Sequence, residues 1–328
     1  MKIILVTGGA GFIGSNFVKY FLRRNKNFII VNIDKLTYAG SMNNLKEIED
    51  NPRHHFIKGD ICNRDLVNYV LKRYRPDYII NFAAESHVDR SIENPLLFIE
   101  TNVLGTMTLL EGARYIWNKR GNAGNRFIQI STDEVYGSID NKSEFFYEES
   151  QLLPNSPYSA SKASADLMVR SFSKTYDFPV MITRCCNNYG PNQNTEKFIP
   201  KCITNALNDK PIPIYGDGSN VREWIHVIDH NIAIIRVLFY GKPGEIYNIG
   251  TGNEFTNIEI AKRIIKHLGK SEELLTTVKD RLGHDMRYAL NSYKIRNNLS
   301  WSNKYNFDEG LKETIRWYID NQDWWKAK

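Results

Sequence analysis

TGGAGFIG, residues 7–14, follows the apolar run KIILV (2–6) and opens a helical stretch at 12–24. Strand, glycine turn and helix, in that order, decide the fold. A dinucleotide pyrophosphate needs glycine for the tight turn, for close backbone approach and for helix–strand packing. Free amides at the helix start then meet the phosphates. FIIVNID (28–34) reads as the next strand, and its final Asp34 stands 20 residues beyond Gly14, where an acid binds ribose hydroxyls. Gly8, Gly11, Phe12, Ile13, Gly14, Asp34, Lys35 and Thr37 are the cofactor contacts expected from this segment. Asp34 favours NAD over NADP because it repels a 2′-phosphate; the adjacent Lys35 acts in the opposite sense.

Outward from the glycine turn, apolar runs at 54–60, 77–82, 126–131 and 178–184 alternate with helical patterns near 63–73, 95–118 and 157–176. Continuous apolar strands separated by helices predict an α/β, doubly wound parallel sheet covered on both faces. After residue 186 the rhythm turns shorter and richer in turns, with helical periodicity at 197–208, 257–268 and 308–321. The expected division is a NAD-binding Rossmann domain over 1–186 and a second, smaller α/β domain over 187–328. Residues 224–240 are apolar enough to return to the first domain.

Composition narrows the function. The 328 residues are 42% hydrophobic and 24% charged, which excludes a disordered or fibrous chain. A net charge of +6 without a basic block argues against a nucleic-acid partner. No apolar run approaches a membrane span, and the N-terminal run is too short for a signal peptide. Cys62, Cys185, Cys186 and Cys202 show no CxxC or zinc spacing, so no metal site is expected and a reduced, cytoplasmic setting is. His226 and His230 lack the acid of an HExxH pattern. Trp324 and Trp325 read as tail packing or an exposed patch.

Two clusters carry chemistry. Tyr158 and Lys162 (YSASK) lie four apart, on one helix face, where an ammonium lowers a phenol's pKa and readies it as a base. Thr132, Asp133 and Glu134 (STDEVYG, 131–137) directly follow a strand, where open α/β sheets bind ligands. A simple dehydrogenase needs one base. Paired acids suit a reaction that both removes and delivers a proton.

TGGAGFIG, Asp34, AAESHVDRS (83–91), STDEVYG and YSASK together resemble the extended short-chain dehydrogenase/reductase superfamily and, within it, the dTDP-glucose 4,6-dehydratases. NNYGP (187–191), KFIP (197–200), PIYGDG (213–218), VREW (221–224), YNIG (247–250) and DRLGHDMRYA (280–289) follow in the order of that family. Leu282 and Met286 stand where the family usually has Pro and Arg. The resemblance implies that Tyr158 takes the C4 hydroxyl proton while hydride passes to NAD⁺, with Thr132 steadying that oxygen. Glu134 then removes the C5 hydrogen, Asp133 protonates the departing C6 hydroxyl, and hydride returns to C6. It further implies adenine contacts at Asp60 and Ile61, a cofactor wall of Phe82, Ala83, Ala84 and Thr101, and a nicotinamide contact at Asn188. Substrate contacts would be Ser86, Asn187, Lys197, Pro213, Tyr215, Arg222, Asn257, Arg281 and His284. The expected partner is dTDP-glucose, on a route to rhamnose or another deoxy sugar, in a homodimer paired through the helices near 95–118 and 157–176. A UDP-sugar 4-epimerase or decarboxylase, or a non-catalytic NAD-binding module, is the alternative; neither calls for the acid pair together with the tyrosine and lysine.

Overall fold

The inner strands of the large sheet are largely apolar runs that bury both faces, and each is followed by a chain segment that must cross back over the sheet. The structure, a computed structural model, describes residues 1–119, 121, 124–139, 141 and 143–326. Its strands are β1 (Lys2–Thr7), β2 (Phe28–Asp34), β3 (His54–Lys58), β4 (Tyr78–Asn81), β5 (Arg126–Thr132), β6 (Val180–Cys185), β7 (Asn187–Tyr189), β8 (Ile212–Tyr215), β9 (Val221–His226), β10 (Ile246–Ile249), β11 (Glu254–Thr256) and β12 (Leu275–Val278). Seven form one sheet in the order β10-β6-β5-β4-β1-β2-β3. All its pairings are parallel. The winding reverses between β1 and β4, and a crevice opens there at the carboxyl ends of the strands.

Helices cover both faces. Phe17, Val18, Phe21 and Leu22 of the helix Phe12–Arg24 pack with Val237 and Leu238 of the helix Val227–Tyr240 on one face. Val67, Val70 and Leu71 pack with Leu109, Leu110 and Trp117 on the other. Each such side chain, fully buried, contributes about 1.5–3 kcal/mol. Phe17 also packs against Phe82, with tilted rings 5.3 Å apart between centroids, so the helix that starts at the glycine turn braces the crevice wall.

Two features depart from the expected pattern. The returning chain extends past 224–240: β10 adds the seventh strand beside β6, and Leu290, Ile295, Leu299 and Trp301 join the same core. A bare β6 would leave an apolar edge unpaired, and the four-residue IYNI satisfies it. The helical stretch 95–118 is also not uniform. Pro95–Phe98 and Gly105–Asn118 are joined by a π-helical turn, Ile99–Leu104. That turn brings Thr101 to the crevice and buries Asn102, which clamps Glu85 through both its backbone N–H (2.9 Å) and its carbonyl (3.0 Å).

The remaining strands form a three-stranded sheet, β11-β9-β7, and a pair, β12-β8. They pack with the helices Phe198–Leu207, Asn257–Leu268 and Phe307–Asp320 around a third core containing Ile203, Ile214, Trp224, Ile264 and Leu311. Among the described residues no helix is long and apolar enough to cross a membrane, and no group of three or more His, Cys, Asp or Glu could hold a metal ion.

Candidate active site

The glycine turn is shaped by contact. Gly8 has φ +69°, and a Cβ there would lie 2.6 Å from the Ala83 amide nitrogen; one on Gly14 would lie 2.3 Å from the Gly8 carbonyl oxygen. Gly11 caps the following helix without a side-chain hydrogen bond, so no side chain competes for the first amides. Asp34 accepts from the amides of Ala10 and Leu36, each at 2.8 Å, and so ties β2 to the turn. Lys35 is engaged by Asp60 at 2.7 Å, which removes it as a counterweight to Asp34. These features fit a dinucleotide without a 2′-phosphate.

A cavity of about 330 Å³ runs from this turn across the carboxyl ends of β1, β4 and β5. Every cofactor contact expected from sequence lines it: Gly8, Gly11, Phe12, Ile13, Gly14, Asp34, Lys35, Thr37, Asp60, Ile61, Phe82, Ala83, Ala84, Thr101, Tyr158, Lys162 and Asn188. Ser86, Thr132, Glu134, Asn187 and Lys197 line it too. Glu85, Ser131, Cys185, Cys186, Gln193, Asn194, Glu196, Phe198 and Trp224 also do, and sequence reasoning had given them no role. Glu85 and Glu196 sit inside quoted or adjacent motifs, so the signal was there; what was missing was the fold that brings them together. Glu196 lies 3.5 Å from Arg90 and 3.6 Å from His87, and Lys197 donates to the Ser86 carbonyl at 2.6 Å.

Asp133 and Glu134 are placed differently. Asp133 is 1% exposed and does not line the cavity, whereas its neighbour Glu134 does. The cause is local: Asp133–Tyr136 is a 3-10 turn, in which successive side chains point ~120° apart. Asp133 therefore turns inward, where Oδ1 accepts from the Thr132 hydroxyl at 3.1 Å and Oδ2 has no protein partner. Burial, then the charges of Glu134 and Glu223, push its pKa well above the usual carboxylate range. Burial also raises Glu134, with Arg281, Arg222 and Lys197 opposing the rise. The rise is the larger at Asp133, which makes it the readier proton donor of the two.

That asymmetry has a stability consequence. A buried acid with a raised pKa holds its proton in the folded state after the unfolded chain has lost it. Stability conferred by the site therefore falls as pH rises above the unfolded value. Asp133→Asn, which cannot ionise, gains in melting temperature over the wild-type protein as pH is raised from 5 to 9. Thermal melts across that range check it; a constant or shrinking difference refutes the assignment.

Tyr158 and Lys162 lie in the first two turns of the helix Pro157–Tyr176, whose start is set by a reciprocal Ser156–Ser159 capping box with Pro157 behind it. Lys162 donates to the Ile130 carbonyl at 2.6 Å, which pins the helix to β5. The expected lowering of the Tyr158 pKa by Lys162 is not observed. Burial, Glu134 and Cys185 raise it, and the Thr132 hydroxyl opposes them. Lys162 is itself lowered by burial. The Cys185 thiol is pushed up to about 12 by burial, which leaves it unionised.

Pro213, Tyr215, Arg222, Asn257, Arg281 and His284 do not line the cavity. They belong to β8, β9, the start of the helix Asn257–Leu268 and the 280–287 segment. Tyr215 and Arg281 meet on Asp89, at 3.3 and 3.8 Å, and His284 is held by Asp280 at 2.7 Å. Arg222 gives Nη2 to the Asp285 carbonyl (2.9 Å) and Nη1 to those of Val221 and Met286. Asn257 starts the helix Asn257–Leu268 and bonds the Asn220 carbonyl through its backbone. Arg222 and Arg281 still reach the reactive group through their charge on Glu134. Leu282 and Met286 are exposed on the same segment.

A doubly wound sheet with a dinucleotide turn, a tyrosine–lysine pair and a split acid pair defines a short-chain dehydrogenase/reductase-type enzyme built for elimination as well as redox chemistry. The comparisons agree. The family model described as GDP-mannose 4,6 dehydratase matches residues 5–314, and the chain belongs to that family. It is 47% identical to the dTDP-glucose 4,6-dehydratase of Neisseria meningitidis serogroup B, over 99% of this chain and 96% of that one. Among solved structures, it matches the Bacillus anthracis dTDP-glucose 4,6-dehydratase in complex with NAD (TM-score 0.91, 50% identity, 100% and 99% of the two chains). It also matches DesIV of Streptomyces venezuelae, a dTDP-glucose 4,6-dehydratase with NAD and TYD bound (TM-score 0.94, 47% identity, 99% of each chain).

Proposed function

We propose that this chain is a hydro-lyase that converts dTDP-glucose to dTDP-4-keto-6-deoxyglucose and water, with NAD as its resident cofactor, in deoxysugar biosynthesis. The observation that carries the reading is the acid pair at the end of β5, one member in the cavity wall and the other buried behind it, beside Tyr158. The glycine turn and Asp34 would hold NAD, which when bound would supply a hydride acceptor and donor. Tyr158 receives the C4 hydroxyl proton, and Thr132 steadies the same oxygen. Glu134, restrained by three cations, takes the C5 proton. Burial disfavours the charged form of Asp133 and so suits it to donate a proton. Its path to the C6 oxygen runs through the Thr132 hydroxyl, which touches both Asp133 and the cavity. The departing water thus draws its proton from one acid while the other holds the proton from C5.

We further assign the chain to a homodimer. Leu96, Ile99, Leu104, Tyr115, Leu167 and Tyr176 are exposed on the helical stretches 95–118 and 157–176, and a second copy covers them. The four free thiols support a cytoplasmic location. Incubation of the pure protein with dTDP-glucose, UDP-glucose and CDP-glucose in turn tests the reading. The expected result is an alkali-absorbing 4-keto product from dTDP-glucose; a C4 epimer without that product overturns it.

A further inference from the structure

The C-terminal tryptophans do more than pack. Trp324 rests against Trp317, with ring centroids 5.0 Å apart, and its indole N–H donates to Asn44 Oδ1 at 2.9 Å, across 280 positions of chain. Asn44 is 1% exposed, and its Nδ2 donates to the Ala10 carbonyl at 2.8 Å, inside the glycine turn. Ala10 is the residue whose own amide Asp34 accepts. The preceding helix holds the opposite side. The Tyr318 hydroxyl donates to the Gln193 carbonyl, and Gln193 Nε2 donates to the Asn188 carbonyl at 2.8 Å. Gln193 and Asn188 line the cavity.

We propose that the C-terminal segment is a clasp on the cofactor, with Trp324 a positioning residue that fixes the glycine turn through Asn44 and slows dinucleotide release. The proposal rests on the cofactor reading above. It also answers a need of that chemistry: the reaction has no net oxidation, so a cofactor lost in mid-cycle strands a half-converted sugar.

Trp325 provides the control. It is 8% exposed and its indole N–H donates to the Tyr318 carbonyl at 2.8 Å, a bond of the same kind that stays within the tail. Full-length wild-type, Trp324→Phe and Trp325→Phe proteins are loaded with NAD, and release is followed by chase with labelled NAD. Trp324→Phe is expected to release NAD about five-fold faster, the scale of one neutral hydrogen bond, with unchanged dTDP affinity and a loss of melting no larger than that of Trp325→Phe. Trp325→Phe is expected to lower melting and leave release unchanged. Wild-type release from Trp324→Phe, or faster release from both variants in step with lost stability, overturns the clasp alone. Failure of the wild-type protein to bind NAD overturns the cofactor reading and the clasp together.

Discussion

Glu134→Gln combined with Asp133→Asn lowers formation of the 4-keto-6-deoxy product by about 10²–10⁴-fold or more, the contribution of positioned acid–base groups. The loss is confined to elimination. Neither change replaces a residue of the glycine turn, Asp34 or the tyrosine helix, so NAD binding and C4 oxidation persist. Reduced nicotinamide therefore accumulates on the protein as its absorbance, while product does not form. Separating the two variants gives a finer expectation. Glu134→Gln removes the carboxylate that faces the cavity, so exchange of the C5 hydrogen with solvent deuterium stops. Asp133→Asn leaves Glu134 in place, so exchange continues although water is not expelled. Product formation by the double variant at the wild-type rate sinks the acid-pair mechanism.

Tyr158→Phe is expected to lower turnover by about 10²–10⁴-fold through loss of the C4 proton acceptor. Phenylalanine retains the edge contact to Phe98, 6.3 Å between centroids, so the fold and NAD binding are expected to hold. No reduced nicotinamide accumulates, which separates this block from that of the acid variants. The pH profile adds a second readout. Glu134 raises the phenol's pKa through its negative charge. Glu134→Gln should therefore shift the pH dependence of C4 oxidation to lower pH; a shift upward, or normal turnover by Tyr158→Phe, contradicts the assigned base.

The parts of this site that local chemistry dictates were legible in the residues. Glycines 8, 11 and 14 serve one turn, Tyr158 and Lys162 share one helix face, and the apolar runs mark strands to within a residue or two. What escaped depends on rotation or on distant chain. Asp133 and Glu134 are adjacent letters, but only the 3-10 turn decides which enters the cavity. Asn102 is buried against the Glu85 backbone from within a π-helical turn, and nothing in its composition announces that. Arg222 and Arg281 come from distant chain and stand outside the cavity lining, and only the fold shows that their charge reaches Glu134. The strand at Ile246–Ile249 was hidden because four residues in a turn-rich region carry too little period to be read.

That short strand limits how the gene can be cut. A breakpoint after residue 186 strips β6 of its partner and bares the backbone of Val180–Cys185, six buried residues with none of the charges or prolines that keep a free edge from self-association except Arg184, itself bound to Asp166. The cofactor-binding half is therefore not an exportable module. Recombination that swaps the sugar-recognition region between relatives must carry Ile246–Ile249 with the sheet it completes.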